Sequence, residues 1–148
     1  MVTELINGVF YYPLNIINTT GGSVMHAIKG FDDNFPEFGE CYFSTAQAES
    51  PKAWKKHSRM ICNLFVPQGE VQFVFYDNRE ESKDFTKIVE FKLSQGNYGR
   101  LVINPGIWFG FAGITDSIIL NVSNIKHDPN ESIRLEPGTS EIPYNWTF

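Results

Sequence analysis

Residues 54–113 read WKKHSRMICNLFVPQGEVQFVFYDNREESKDFTKIVEFKLSQGNYGRLVINPGIWFGFAG, and this stretch decides the fold. Short apolar and alternating runs recur in it. They are cut by turn signals at Pro67-Gln68-Gly69, Ser94-Gln95-Gly96-Asn97 and Asn104-Pro105-Gly106. That rhythm predicts an all-β sandwich or barrel. Met60–Val66 and Val71–Tyr76 form the clearest strand pair. In the second strand Val71, Phe73 and Phe75 share one face, and Gln72, Val74 and Tyr76 the other. Because Val74 is apolar too, both faces of that strand are expected to be covered.

Outward from this centre, further strands are expected at 87–93, 100–103, 107–111 and 118–122, and earlier at 40–45 and 53–57. Residues 9–17 are β-prone and broken by Pro13, the run 24–28 reads as a short strand, and 77–84 reads as a charged loop. From Ile125 onward the prolines predict irregular chain. About nine or ten short strands with no helical period predict a jelly-roll, cupin-like β-sandwich in a single domain over residues 1–148. Such folds pair or cover their sheet edges, so a homodimer is expected.

The net charge of −5 argues against a general nucleic-acid binder, although Lys52, Lys55, Lys56, His57 and Arg59 form a local basic cluster. Aromatic residues, at 15% of the chain, suit strands and ring-binding walls alike. Cys41 and Cys62 make no disulfide framework, and a buried reduced thiol is the expected state. No apolar run has membrane-spanning length and the N-terminal residues do not resemble a signal peptide, so a cytoplasmic protein is expected.

The chemistry-bearing candidates are few. The three histidines, His26, His57 and His127, lack the i, i+2 pairing that would place two ligands on one strand face, so neither metal nor cofactor is expected. There is no G-x-S-x-G nucleophile elbow and no phosphate loop. What remains is the basic strand around His57. Strict alternation puts Lys55, His57, Arg59, Ile61 and Asn63 on one face, and Lys52, Trp54, Lys56 and Ser58 on the other. A histidine lining a barrel beside cations has a lowered pKa and is neutral at pH 7, as a general base must be. The same residues would also suit a solvated basic edge strand.

Three segments bring a known family into view. Residues 33–42 (DNFPEFGECY) resemble D-x-R-G-x-F-x-E-x-Y, with Asp33, Phe38, Glu40 and Tyr42 in register. Residues 69–85 (GEVQFVFYDNREESKDF) resemble G-E-V-x-x-V-x-x-D-x-R-x-x-S-x-x-F, retaining Asp77, Arg79, Ser82 and Phe85. Residues 101–111 (LVINPGIWFGF) are similar to L-x-I-P-P-G-x-x-H-G-F, retaining Pro105, Gly106, Gly110 and Phe111. These motifs, and an ending at 142–146 similar to I-x-W, belong to the dTDP-4-dehydrorhamnose 3,5-epimerase family of cupin-class jelly rolls.

The resemblance implies an isomerase acting on a nucleotide-linked 4-keto-6-deoxyhexose in surface-polysaccharide biosynthesis. In that family a histidine removes the proton beside the ketone, a lysine steadies the enolate, and a tyrosine returns a proton from the opposite face. His57 matches the family's R-G-L-H histidine. The resemblance therefore makes His57 the base, with Lys55 and Arg59 handling enolate or phosphate charge. Glu40, Tyr42, Asn63, Trp108, Phe111 and Asn121 become substrate-binding candidates. Asp77 and Arg79 are read as a loop-fixing ion pair.

Several family positions are altered. The family lysine falls on Cys62 and the tyrosine on Asn121. The histidine of P-P-G-x-x-H-G-F is Phe109, and the D-x-R-G arginine and glycine are Phe35 and Pro36. Glu141 is the nearest counterpart of the aspartate that orients the base. Without the tyrosine, proton donation falls to Tyr42, Tyr76 or water. Two other readings follow from these departures: a non-catalytic sugar-nucleotide or carbohydrate binder on the same fold, and a 3,4-ketoisomerase.

Overall fold

The computed structural model describes residues 1–148 and contains thirteen strands and no helix. In chain order they are β1 (Thr3–Ile6), β2 (Val9–Pro13), β3 (Ile16–Thr19), β4 (Gly22–Met25), β5 (Glu40–Ala46), β6 (Lys52–His57) and β7 (Cys62–Gln68). There follow β8 (Glu70–Tyr76), β9 (Ile88–Ser94), β10 (Gly99–Ile103), β11 (Trp108–Gly113), β12 (Ser117–Ser123) and β13 (Ser132–Arg134). A six-stranded sheet, β1-β2-β10-β7-β12-β5, faces a five-stranded sheet, β13-β6-β11-β8-β9, and β3 and β4 form a separate hairpin. Every paired ladder is antiparallel. This is the expected all-β jelly-roll sandwich.

The strands beyond those expected are short. β1 carries only Leu5 and Ile6 as apolar residues, and β13 lies in the proline-interrupted C-terminal stretch read as irregular. Both form because an existing strand offers them a free edge, which local pattern does not register.

The sheets close over a core that includes Val71, Phe73 and Phe75 of β8, Leu101 and Ile103 of β10, and Leu64 of β7. Each such side chain, fully buried, contributes about 1.5–3 kcal/mol. The opposite face of β8 is covered as well. Val74 packs with Trp54, Trp108 and Ile142, and Tyr144 and Trp146 of the C-terminal tail lie against this second cluster. The Trp146 ring lies tilted against that of Trp54, with centroids 5.4 Å apart. The tail thus roofs the outer face of the five-stranded sheet, which explains the terminal I-x-W pattern.

Gly110 is required by the same roof. A Cβ there would stand 2.4 Å from the Ala53 Cβ and 3.1 Å from the Trp146 ring. Beyond β8, Asp77 is fully buried and accepts bonds from Arg79 Nε at 2.9 Å and Arg79 Nη2 at 2.9 Å. Arg79 in turn donates to the Asn7 carbonyl at 2.7 Å. The pair clasps the 77–86 loop onto the β1–β2 turn, the loop-fixing role its motif suggested. No helix is long and apolar enough to cross a membrane.

Candidate active site

His57 ends β6, and β6 is held in place from both sides. On one side Phe109 of β11 is in register with Lys55; on the other, Ser132 and Arg134 of β13 oppose His57 and Lys55. A cavity of about 570 Å³ opens between the two sheets over this strand. Its five-stranded wall carries Lys52, Lys55, His57, Phe109, Phe111 and Arg134; its six-stranded wall carries Tyr42, Ser44, Cys62, Leu64, Ile119 and Asn121.

The imidazole is fixed by a carboxylate that the motif comparison did not find. Glu131, just before β13, is buried, and its Oε1 bonds His57 Nδ1. Its Oε2 accepts the backbone N–H groups of Ser58 at 3.2 Å, Arg59 at 3.1 Å and Met60 at 3.1 Å. Ser58 Oγ donates to the Glu131 carbonyl at 2.7 Å. Burial alone would raise the Glu131 carboxyl, but the His57 bond and the backbone donors outweigh it and hold the group below the usual carboxylate range. Glu131, not Glu141, therefore orients the ring. The only sequence signal available was that Glu131 precedes a short β-prone Ser132-Ile133-Arg134 run.

With Nδ1 engaged, Nε2 is the free ring nitrogen. Burial lowers the His57 pKa most; Glu131 opposes this, and Lys55 and Arg134 add to it. The ring also stacks on Phe109, with centroids 6.0 Å apart. A neutral, oriented imidazole on a cavity wall is equipped to take a proton.

Lys55 shares that wall. Burial lowers its pKa first, and the Arg134 charge beside it lowers it further. Its ammonium is close enough to Cys62 for each to perturb the other. Lys52 reaches the cavity too, against the alternation expected from sequence. The β6–β11 ladder slips between Phe109 and Phe111, so that Lys55 opposes Phe109 and Lys52 opposes Phe111. This bulge brings Lys52 onto the face of Lys55, whereas Trp54 and Lys56 keep the outer one, with Lys56 Nζ 5.0 Å from the Trp108 ring centroid. None of Lys52, Lys55 and Arg134 is in an ion pair.

Other sequence candidates lie elsewhere. Arg59 falls beyond the end of β6 and makes an exposed ion pair with Asp128 at 3.1 Å, so it is not in the cavity. Asn63 points to the outer face of β7, where Arg100 Nη1 donates to its Oδ1 at 2.7 Å; its neighbours Cys62 and Leu64 point inward. Trp108 faces the tail side of β11, while Phe109 and Phe111 face the cavity. The Glu40 carboxylate accepts the His127 backbone N–H and does not line the cavity. Tyr42, Phe111 and Asn121 do line it. Cys62 is buried and its thiol is pushed up to about 12, chiefly by burial. No group of three or more His, Cys, Asp or Glu side chains is placed to hold a metal ion.

The fold is thus a two-sheet, cupin-class jelly roll, with a carboxylate-held histidine and cations outside any ion pair lining the space between its sheets. Residues 55–148, well over half the chain, match the family model described as dTDP-4-dehydrorhamnose 3,5-epimerase, and the chain belongs to that family. It is 28% identical over 146 residues to the spore coat polysaccharide biosynthesis protein SpsL of Bacillus subtilis (strain 168), covering 96% of this chain and 97% of that one. It is 27% identical over 127 residues to the probable low-salt glycan biosynthesis epimerase Agl13 of Haloferax volcanii, covering 81% of this chain and 78% of that one. Among solved structures, the dTDP sugar isomerase from Desulfovibrio desulfuricans G20 superposes with a TM-score of 0.91 at 35% identity, covering 95% of this chain and 92% of that one.

Proposed function

We propose that this protein epimerises a nucleotide-linked 4-keto-6-deoxyhexose, with His57 removing the proton on the carbon beside the ketone. The observation that carries this reading is the His57–Glu131 pair: a buried carboxylate orients a neutral imidazole whose free nitrogen remains available in a cavity large enough for a sugar nucleotide. Lys55, two residues before the base and on the same wall, steadies the enolate oxygen. It does so from β6, beside the Cys62 position where the family carries its lysine on β7. Lys52 and Arg134, both free of carboxylate partners, receive the diphosphate. Phe109 and Phe111 give the sugar or base an apolar wall, and the names of the two curated relatives support a place in polysaccharide or glycan assembly.

Two free cysteines fit a reducing cytoplasm. A homodimer is supported by β5, which pairs only with β12 and leaves its other edge open beside the exposed Phe43. The exposed Ile17 and Val24 of the β3–β4 hairpin add apolar surface for the same purpose.

A second reading is favoured by Cys62 and Asn121 at the family's lysine and tyrosine positions: a sugar-nucleotide binder without turnover. One experiment separates the two. The protein is incubated in heavy water with dTDP-, CDP- and GDP-linked 4-keto-6-deoxyhexoses, and C3 and C5 are followed by NMR, with His57→Ala as control. Exchange that disappears in the variant supports the enolising enzyme; binding without exchange supports the binder. Product analysis separates an epimerase from a ketoisomerase.

A further inference from the structure

Inverting a carbon centre needs a base on one side of the sugar and an acid on the other. The base wall here is the five-stranded sheet. The groups able to donate a proton from the six-stranded wall are Tyr42, Ser44 and Cys62. Ser44 is an alcohol, too weak an acid for the task. Cys62 is buried behind the wall surface, at 2% exposure, with its thiol pushed up to about 12. Tyr76, the other tyrosine considered from sequence, packs against the Trp54–Trp108 cluster on the far face of the five-stranded sheet. Lys55 stands on the same wall as His57.

Tyr42 is set up differently. It lies on β5 directly opposite Asn121 of β12 in the ladder, and Asn121 Nδ2 donates to its hydroxyl at 3.1 Å. The phenol oxygen therefore accepts one bond and keeps its own proton free for a ligand. The same amide N–H stays in place to stabilise the phenolate that donation leaves. Asn121 is only 5% exposed, and its Oδ1 is buried without a partner. A buried carbonyl with no donor is costly unless something supplies one, and a sugar hydroxyl entering the cavity would do so.

We infer that Tyr42 is the proton donor on the wall facing His57, and that Asn121 is its positioning residue and a sugar-hydroxyl acceptor. The inference rests on the epimerase reading above. His57 Nε2 takes the carbon-bound proton, and the C–H electron pair moves into the enolate. The enolate then takes the Tyr42 O–H proton on its opposite face and the ketone re-forms. This leaves imidazolium and phenolate, which exchange one proton through water to restore the starting state. Tyr42 lines the cavity, and water entering it between turnovers reprotonates the phenolate.

The test is the heavy-water experiment with the same three compounds, scoring deuterium uptake and inversion separately in wild type, Tyr42→Phe and Asn121→Ala. Tyr42→Phe should keep uptake at the carbon that His57 deprotonates while inversion falls by about 100-fold or more. Asn121→Ala should show the same split to a smaller degree, with a raised KM. Undiminished inversion in Tyr42→Phe overturns the donor assignment, as does a parallel loss of uptake and inversion in a protein that remains folded. Absence of uptake in wild type with all three compounds overturns the enolising reading itself, and the donor with it.

Discussion

Glu131 grips His57 at Nδ1 from 74 positions downstream, and with its second oxygen ties down the three backbone N–H groups that follow the histidine. One carboxylate thus fixes the tautomer, the ring plane and the sharp exit of the chain from β6. Its removal should affect rate and pH profile together. In wild type the acid limb of kcat/KM should lie below 6.5, the ordinary histidine value, because burial lowers the His57 pKa. Glu131 opposes that shift, so Glu131→Gln should move the limb to still lower pH and lower kcat by about 10²- to 10⁴-fold. A limb displaced upward would contradict the assignment.

Lys55 and Arg134 stand side by side across the β6–β13 ladder but are given different work. Lys55→Met should lower kcat by about 10²- to 10³-fold, as loss of an oxyanion-stabilising group does. It should also shift the acid limb upward, because Lys55 lowers the His57 pKa. Arg134→Met should chiefly raise KM. Arg134 lowers the His57 pKa too, so both variants should shift the limb upward, and it is the split between kcat and KM that distinguishes them.

The two thiols should react very differently. Cys41 is exposed; Cys62 is buried and its thiol is pushed up to about 12. A thiolate is the reactive form, so a disulfide reagent at pH 7.5 should titrate Cys41 in the native protein. It should reach Cys62 only on unfolding or through slow opening. Rapid native labelling of both would show that the six-stranded wall is looser than described.

Asp77→Asn should destabilise the fold by about 3–5 kcal/mol, because it leaves Arg79 facing a neutral group at a buried site. Burial raises the Asp77 carboxyl, but the Arg79 and Ser82 bonds more than reverse this, and its folded pKa lies below 3.8. For a depressed carboxylate the stabilisation is complete above the unfolded value. It is lost as pH falls through the folded value. Chemical denaturation should therefore show the variant's deficit narrowing below pH 4.

Gly110→Ala should cost about 1–3 kcal/mol by overpacking. The added methyl meets Ala53 on a neighbouring strand and Trp146 of the tail. A lower Tm, with tryptophan fluorescence more open to quenching as Trp146 is displaced, is the expected signature.

The sequence by itself determined the strand content, the two covered faces of β8, the Asp77–Arg79 clasp and the position of the histidine. All of these follow from period-2 alternation, turn residues or a motif contained within a few neighbouring positions. Only the tertiary structure decided what surrounds that histidine. Glu131 and Arg134 reach it because β13 adds to the free edge of β6, a pairing that spans some seventy residues and leaves no local trace. Lys52 joins the site and Arg59 leaves it because a bulge interrupts the β6–β11 ladder and because β6 ends at His57. Strict alternation foresees neither. Trp108 and Asn63 fall on outer faces because one residue of register reverses the side a strand residue presents. Tyr42 and Asn121 meet only because β5 lies beside β12. Strand character is written in near neighbours; a site built across two sheets depends on which edges join, and that is a property of the folded chain.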